Sequence, residues 1–89
     1  MILMPAEIHV YGKPGCSTCD EALELLDDTS ARFSFTVVRH NILGDQALFE
    51  KYRYLVPVVV IGGIERLRLR FDPQELEAAL LTSQVPRRE

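Results

Sequence analysis

The sequence predicts an α/β fold of the order β-α-β-α-β-β-α, in which three helices flank a mixed four-stranded sheet. Segments with a period of two residues and many β-formers begin near residues 7, 32 and 57. Segments with apolar residues at helical spacing follow each of these β-regions. Because strand and helix alternate before a final hairpin, we expect the first two strands to be parallel and joined by a right-handed crossover.

The first strand is predicted at "EIHVY", residues 7–11, which alternates and is rich in β-formers. A loop with glycine at positions 12 and 15 follows. Apolar residues then recur every three or four positions with acidic residues between them, which predicts an amphipathic helix of about three turns. The residues of its apolar side are Cys19, Ala22, Leu23 and Leu26. Cys16 therefore lies at the N-terminus of this helix.

The second strand is predicted at "RFSFTVV", residues 32–38, again from alternation. "GDQALFEKYRYL" predicts a second helix, with Asp45 as its N-cap. "PVVVIGGIERLRLR" contains two β-runs joined at Gly62 and Gly63, a pair that readily adopts the positive φ angles of a tight turn.

"DPQELEAALL" predicts the last helix. Asp72 is the expected N-cap, Pro73 occupies the first turn, and Glu75 stands three residues after the cap. The remaining residues, "SQVPRRE" at 83–89, are expected to form a frayed, flexible tail.

Composition favours one small domain spanning residues 1–89, since the chain has 89 residues of which 47% are hydrophobic. A formal net charge of −3 argues against a nucleic-acid surface, and the alternation in "ERLRLR" is more typical of a half-buried strand than of a basic recognition ribbon. The longest apolar stretch, "LVPVVVI", is too short to cross a bilayer. The N-terminus lacks a signal-peptide pattern, so we expect a cytoplasmic protein.

Both cysteines of the chain, Cys16 and Cys19, lie in one Cys-X-X-Cys motif that follows a strand and opens a helix. The helix N-terminus and Lys13 both favour a thiolate on Cys16, which makes Cys16 the candidate nucleophile and Cys19 the candidate resolving thiol. Asp20 and Glu21, close by, oppose this effect. Two other interpretations remain open: a pair of small core residues, or half of a zinc site completed by histidines.

Pro57 stands at the start of a strand that otherwise reads as central, where proline normally fits badly. One explanation is a cis Val56–Pro57 bond that leaves the N–H and C=O of Val56 free to pair with a substrate peptide. The other is a trans proline at the first position of the strand.

"VYGKPGCSTCDEALELL", "LVPVVVIGG" and the C-terminal helix together resemble the glutaredoxins, small members of the thioredoxin-fold superfamily, and most closely the shorter glutaredoxin-like proteins. The resemblance implies a thioredoxin-like fold and a thiol–disulfide oxidoreductase in which Cys16 attacks and Cys19 resolves. It also implies that Lys13, Val56 and Pro57 contact the substrate. Tyr11 matches an aromatic residue near the end of the first strand, for which core packing is an equal alternative.

Two departures from the glutaredoxin pattern stand out. The motif is Cys-Ser-Thr-Cys where glutaredoxins commonly have Cys-Pro-Tyr-Cys, so the hydroxyls of Ser17 and Thr18 are expected near the nucleophile. The Gly-Gly-Asp-like segment that binds glutathione is missing before the last helix, where the chain reads "LRFDPQEL". Only Asp72 could stand in for the acidic residue, and helix capping already explains it.

These features leave the electron source open between glutathione and a thioredoxin reductase. We expect a monomer that acts on a disulfide-containing protein, without a tightly bound cofactor, a metal, nucleic acid or a membrane. Two alternatives belong to other classes: an iron–sulfur or metal-binding glutaredoxin-like protein, and a non-catalytic interaction module with this fold. The sequence also leaves open whether arginines such as Arg39 and Arg53 contact an acidic partner or merely solubilise the surface.

Overall fold

The structure, a computed structural model, describes residues 6–88 and contains one mixed sheet flanked by three helices. The strands are β1 (Ala6–Gly12), β2 (Phe35–Asn41), β3 (Val58–Ile61) and β4 (Ile64–Arg68), and the helices are α1 (Ser17–Thr29), α2 (Gln46–Tyr52) and α3 (Pro73–Thr82). The sheet order is β2-β1-β3-β4; β1 and β2 are parallel, and the other pairs are antiparallel. The predicted fold class and element order are confirmed.

The two faces of the sheet carry separate apolar clusters. Ile8 and Val10 of β1 lie in the larger cluster, with Leu26 of α1 and Leu76 and Leu80 of α3. The opposite face holds a smaller cluster around Val58, with Tyr52 of α2, Ile42 and Cys19. Since β1 alternates between these clusters, its C-terminal end brings both to the loop that carries the cysteines.

The predicted bounds of the second strand are wrong by about three residues. Residues 30–33 form the turn that ends α1 and do not belong to β2, since the N–H groups of Arg32 and Phe33 both donate to the carbonyl of Thr29. Beyond residue 38 the strand continues through Arg39, His40 and Asn41, which pair with β1. β2 lies at an edge of the sheet, where polar side chains reach water at little cost.

The predicted turn and caps are confirmed. Gly62 and Gly63 form the hairpin turn with φ angles of 62° and 79°. Asp45 caps α2 by accepting from the N–H of Leu48 at 3.1 Å.

The residues after α3 pack against the domain, contrary to the predicted frayed tail; Glu89 lies outside the described residues. Val85 is only 5% exposed and belongs to the larger apolar cluster. The N–H of Ser34 donates to the carbonyl of Pro86 at 2.7 Å, and that of Arg88 donates to the carbonyl of Arg32 at 2.8 Å. One valine in a polar stretch thus orders this segment, because it completes the core beside Phe33. None of the helices between residues 6 and 88 is long and apolar enough to cross a membrane.

Candidate active site

The two cysteines lie at the junction between β1 and α1, next to the C-terminal end of a central strand. Cys16 is the N-cap of α1 and Cys19 lies in the first turn, with Cα atoms 5.2 Å apart and the sulfurs joined in a disulfide. The Cys16 sulfur also accepts from the N–H of Cys19 at 3.2 Å. Cys16 therefore occupies a position in which a cap normally uses an oxygen.

The two sulfurs differ in their surroundings. Cys19 is 4% exposed and packs with Tyr52, Val56 and Val58, whereas Cys16 is only partly buried. The hydroxyl of Thr18 lies 3.3 Å from the Cys16 sulfur, as the Cys-Ser-Thr-Cys motif leads one to expect. An incoming disulfide can thus reach Cys16 more easily than Cys19.

Gly12 lies in close contact with the buried Cys19, a contact that the sequence did not predict. A Cβ built on Gly12 would lie 3.2 Å from the sulfur of Cys19 and 3.4 Å from its Cβ. The first of these is closer than most real Cβ contacts. The available signal was a glycine at the last strand position, where a β-former would be ordinary.

The segment before β3 completes the wall beside the cysteines. The Val56–Pro57 peptide bond is cis, and both residues are buried. The N–H of Leu69 donates to the carbonyls on either side of Val56, to Leu55 at 3.1 Å and to Pro57 at 2.9 Å. Across residues 6–88, no backbone hydrogen bond to Val56 itself is formed. The N–H and C=O of Val56 therefore have no backbone partner in this part of the chain.

Tyr11 lies at the rim of the same cluster. Its ring stacks on His40, with centroids 4.4 Å apart, and is tilted against Tyr52 at 5.1 Å. His40 in turn lies 2.8 Å from His9 through their ring nitrogens. The two histidines are thus hydrogen-bonded to each other, and no group of three metal-ligating side chains occurs in the described part of the chain.

Lys13 is exposed and borders a cleft on the β2 side of the motif. The cleft has a volume of about 370 Å³ and lies between α1 and the C-terminal ends of β1 and β2. Among its lining residues are Gly12, Cys19, Asp20 and Arg39. We call it the β2-side cleft. Sequence reasoning did not connect Arg39 with the cysteines, since they are brought together only by strand pairing.

On the opposite side of the motif lies the junction between β4 and α3. A smaller groove of about 280 Å³ runs there between Thr18 and Leu69, and it is also lined by Glu21 and Asp28. Asp72, the only candidate for an acidic glutathione contact, accepts from the N–H of Glu75 at 2.7 Å, while its own N–H donates to the Glu75 carboxylate at 3.2 Å. This reciprocal capping box confirms the capping role of Asp72.

Comparison with known families places most of the chain in one of them. Residues 7–81 match the model of the family described as glutaredoxin-like domain (DUF836). This range includes the Cys-X-X-Cys motif, the Val56–Pro57 segment and nearly all of α3.

Two solved structures share the fold. The X-ray structure of the protein XcR50 from X. campestris is 32% identical, with a TM-score of 0.75 over 84% of this chain and 96% of that chain. The solution NMR structure of the protein Ne2328 from Nitrosomonas europaea is 26% identical, with a TM-score of 0.75 over 88% of this chain and 94% of that chain. No curated protein matches the sequence.

Proposed function

This chain belongs to the glutaredoxin-like (DUF836) family, and on that premise we propose that it is a thiol–disulfide oxidoreductase with a dithiol mechanism. One observation carries the proposal: two cysteines at disulfide distance at the start of α1, one partly exposed and one buried. A purely structural pair would have no need of this asymmetry. A nucleophile and its resolving partner require it, because only the first must meet the substrate.

The reaction begins from the reduced protein. The Cys16 thiolate attacks one sulfur of the substrate disulfide, which forms a mixed disulfide and releases the other substrate sulfur as a thiolate. The Cys19 thiolate then attacks the Cys16 sulfur, and the second substrate sulfur leaves. Two electrons pass to the substrate, each departing thiolate takes a proton from solvent, and the Cys16–Cys19 disulfide remains.

The start of α1 supports the first attack. Cys16 at the N-cap faces the partial positive charge of the helix N-terminus, which stabilises a thiolate there. The hydroxyl of Thr18, 3.3 Å away, is placed to donate to that thiolate. The carboxylate of Asp20 in the same first turn opposes the effect.

The substrate lies along the segment before β3. The free N–H and C=O of Val56 pair with an extended stretch of the substrate, while the side chain of Val56 packs with Cys19 and Val58 next to the buried Pro57. Lys13 and Tyr11 border the same approach, from the loop and from the end of β1. The physiological partner is a protein with a disulfide, and the protein acts in the cytoplasm as a monomer without a tightly bound cofactor.

The oxidised protein is recycled by glutathione or by a thioredoxin reductase. At the β4–α3 junction the carboxylate of Asp72 is already engaged by α3. A second glutathione contact there is therefore weaker than in glutaredoxins that carry a Gly-Gly-Asp-like segment.

Equilibration across glutathione redox buffers, followed by trapping of free thiols and mass analysis, tests the proposal. We expect a reversible Cys16–Cys19 disulfide with a potential between about −180 and −270 mV. Glutathione attached to Cys16 would identify glutathione as the electron source over a thioredoxin reductase. Cysteines that remain reduced and unmodified in every buffer would refute an oxidoreductase.

A further inference from the structure

The β2-side cleft carries two cations that the proposed chemistry does not use together. Lys13 comes from the loop before the motif, and Arg39 comes from β2. Both are exposed, and neither forms an ion pair with a carboxylate between residues 6 and 88. The arginines that do pair, Arg32 and Arg87, share Glu77 at 3.3 and 3.6 Å.

Strand pairing explains why Arg39 faces this cleft. Arg39 is the partner of Val10 in the parallel β1–β2 ladder, and Val10 packs in the cluster on the side of α1 and α3. The side chain of Arg39 therefore stands on the same side of the sheet as α1, beside Leu23. Since β2 is the edge strand, the cleft opens outward to solvent there.

The cleft adjoins one of the two reacting sulfurs, that of the buried Cys19. Cys19 forms part of its wall, and Gly12 in the same wall approaches that sulfur so closely that a Cβ there would lie 3.2 Å from it. Lys13 is three residues from Cys16, so their Cα atoms are at most about 11 Å apart. A substrate residue two or three positions from the attacked cysteine spans the same distance.

We infer that the β2-side cleft binds an acidic side chain of the protein substrate, an Asp or Glu close in sequence to the cysteine that Cys16 attacks. The inference rests on the proposed function and narrows its substrate class to acidic segments. Lys13 and Arg39 supply two positive charges on one cleft of a chain whose formal net charge is −3. Charge complementarity of this kind selects and orients a partner more than it raises affinity.

Asp20 lines the same cleft from the first turn of α1 and opposes an incoming carboxylate. Its charge is partly offset by the helix N-terminus on which it lies. Asp20 therefore provides a substitution with the opposite sign: Asp20→Asn strengthens the attraction for an acidic segment, whereas Arg39→Gln weakens it.

Three disulfide peptides that differ only in two flanking positions, with Glu, Gln or Lys there, test the inference. Single-turnover reduction by the pre-reduced protein needs no electron donor. We expect the Glu peptide to react about two- to fivefold faster than the Gln peptide, and the Lys peptide to react most slowly. The preference should disappear at about 0.5 M salt, where exposed charges are screened.

The variants assign the effect to the cleft. Arg39→Gln should reduce the ratio of Glu to Gln rates towards one, and Asp20→Asn should increase it. Arg53→Gln is the matched control, because Arg53 follows α2 and lies against Phe49 and Tyr54, away from the cleft. For Arg53→Gln, the ratio of the reduction rates of the Glu and Gln peptides should equal that of the unmodified protein.

Binding is measured separately by NMR titration with unreactive peptides in which serine replaces cysteine. If the Glu peptide binds more tightly than the Gln peptide and Arg39→Gln weakens this binding, the result supports the acidic preference of the cleft. This holds even if no peptide is reduced, because a lack of reduction would refute only the proposed oxidoreductase activity. Reduction of all three peptides at equal rates would overturn the acidic preference and leave the oxidoreductase intact. The inference would also be overturned if Arg39→Gln slowed the reduction of glutathione disulfide but not that of the Glu peptide. The cleft would then bind a carboxylate of glutathione and not one of a protein substrate.

Discussion

Replacing Gly12 with alanine perturbs the contact between the end of β1 and the buried cysteine. The new Cβ would lie 3.2 Å from the Cys19 sulfur, so this sulfur or the strand must move by a few tenths of an ångström. Cys19 has little freedom to move, because it is 4% exposed and packed with Tyr52 and Val58. Overpacking of this kind costs about 1–3 kcal/mol. We expect Gly12→Ala to lower the free energy of unfolding of the oxidised protein by about 1–2 kcal/mol.

Urea denaturation of the oxidised protein measures this loss, and Gly44→Ala is the matched control. A Cβ on Gly44 meets no atom within 4 Å. The same glycine-to-alanine change there should leave stability unchanged or raise it by up to about 1 kcal/mol, because alanine restricts the unfolded chain. If Gly12→Ala were as stable as Gly44→Ala, the close approach to Cys19 would not limit the residue at position 12, and the packing argument would be wrong.

Further substitutions test the mechanism and the caps. Cys16→Ser should abolish disulfide reduction, and Cys19→Ser should accumulate a mixed disulfide of protein and substrate, visible as an added mass; full turnover by Cys16→Ser would end the assignment. Asp72→Ala should lower stability to urea by about 1 kcal/mol through loss of the capping box, with an unchanged rate of protein-disulfide reduction; a slower rate would give Asp72 a place in the site. Val85→Ala should lower the free energy of unfolding by about 1–2 kcal/mol, because Val85 is buried in the core. The loss should exceed that of Val37→Ala, at a position that is 37% exposed. Equal losses of unfolding free energy would mean that the segment after α3 does not pack against the core.

The two clefts beside the motif differ in charge, and this difference bears on the choice of partner. Lys13 and Arg39 outnumber Asp20 on the β2 side, whereas the groove on the β4 side is lined by the carboxylates of Glu21, Glu24 and Asp28 and by one cation, Arg70. A substrate that crossed Cys16 between them would meet opposite net charges at its two ends. Under the proposed function, this asymmetry would orient an extended segment and would add to the hydrogen bonds that Val56 could form with a chain of any sequence.

Several features, among them the helix caps and the hairpin turn, could be predicted from the sequence alone because they depend on local interactions. Asp45 and Asp72 cap helices because their side chains reach the N–H groups of the next turn, and Gly62 with Gly63 forms a turn because both tolerate positive φ angles. The element order and the placement of Cys16 at a helix start follow from patterns within short windows. Each of these signals depends on residues fewer than about five positions apart.

Contacts between distant residues were decided only by the tertiary structure. The bounds of β2 follow from pairing with β1, and the order of the last residues follows from burial of Val85, neither of which a local pattern encodes. The approach of Gly12 to Cys19 and the placement of Arg39 beside the motif likewise need the strand–helix crossover to be folded. The sequence by itself thus determined which two residues are the candidates for redox chemistry. The surfaces around them depend on packing across the sheet, which side chains far apart in the chain determine together.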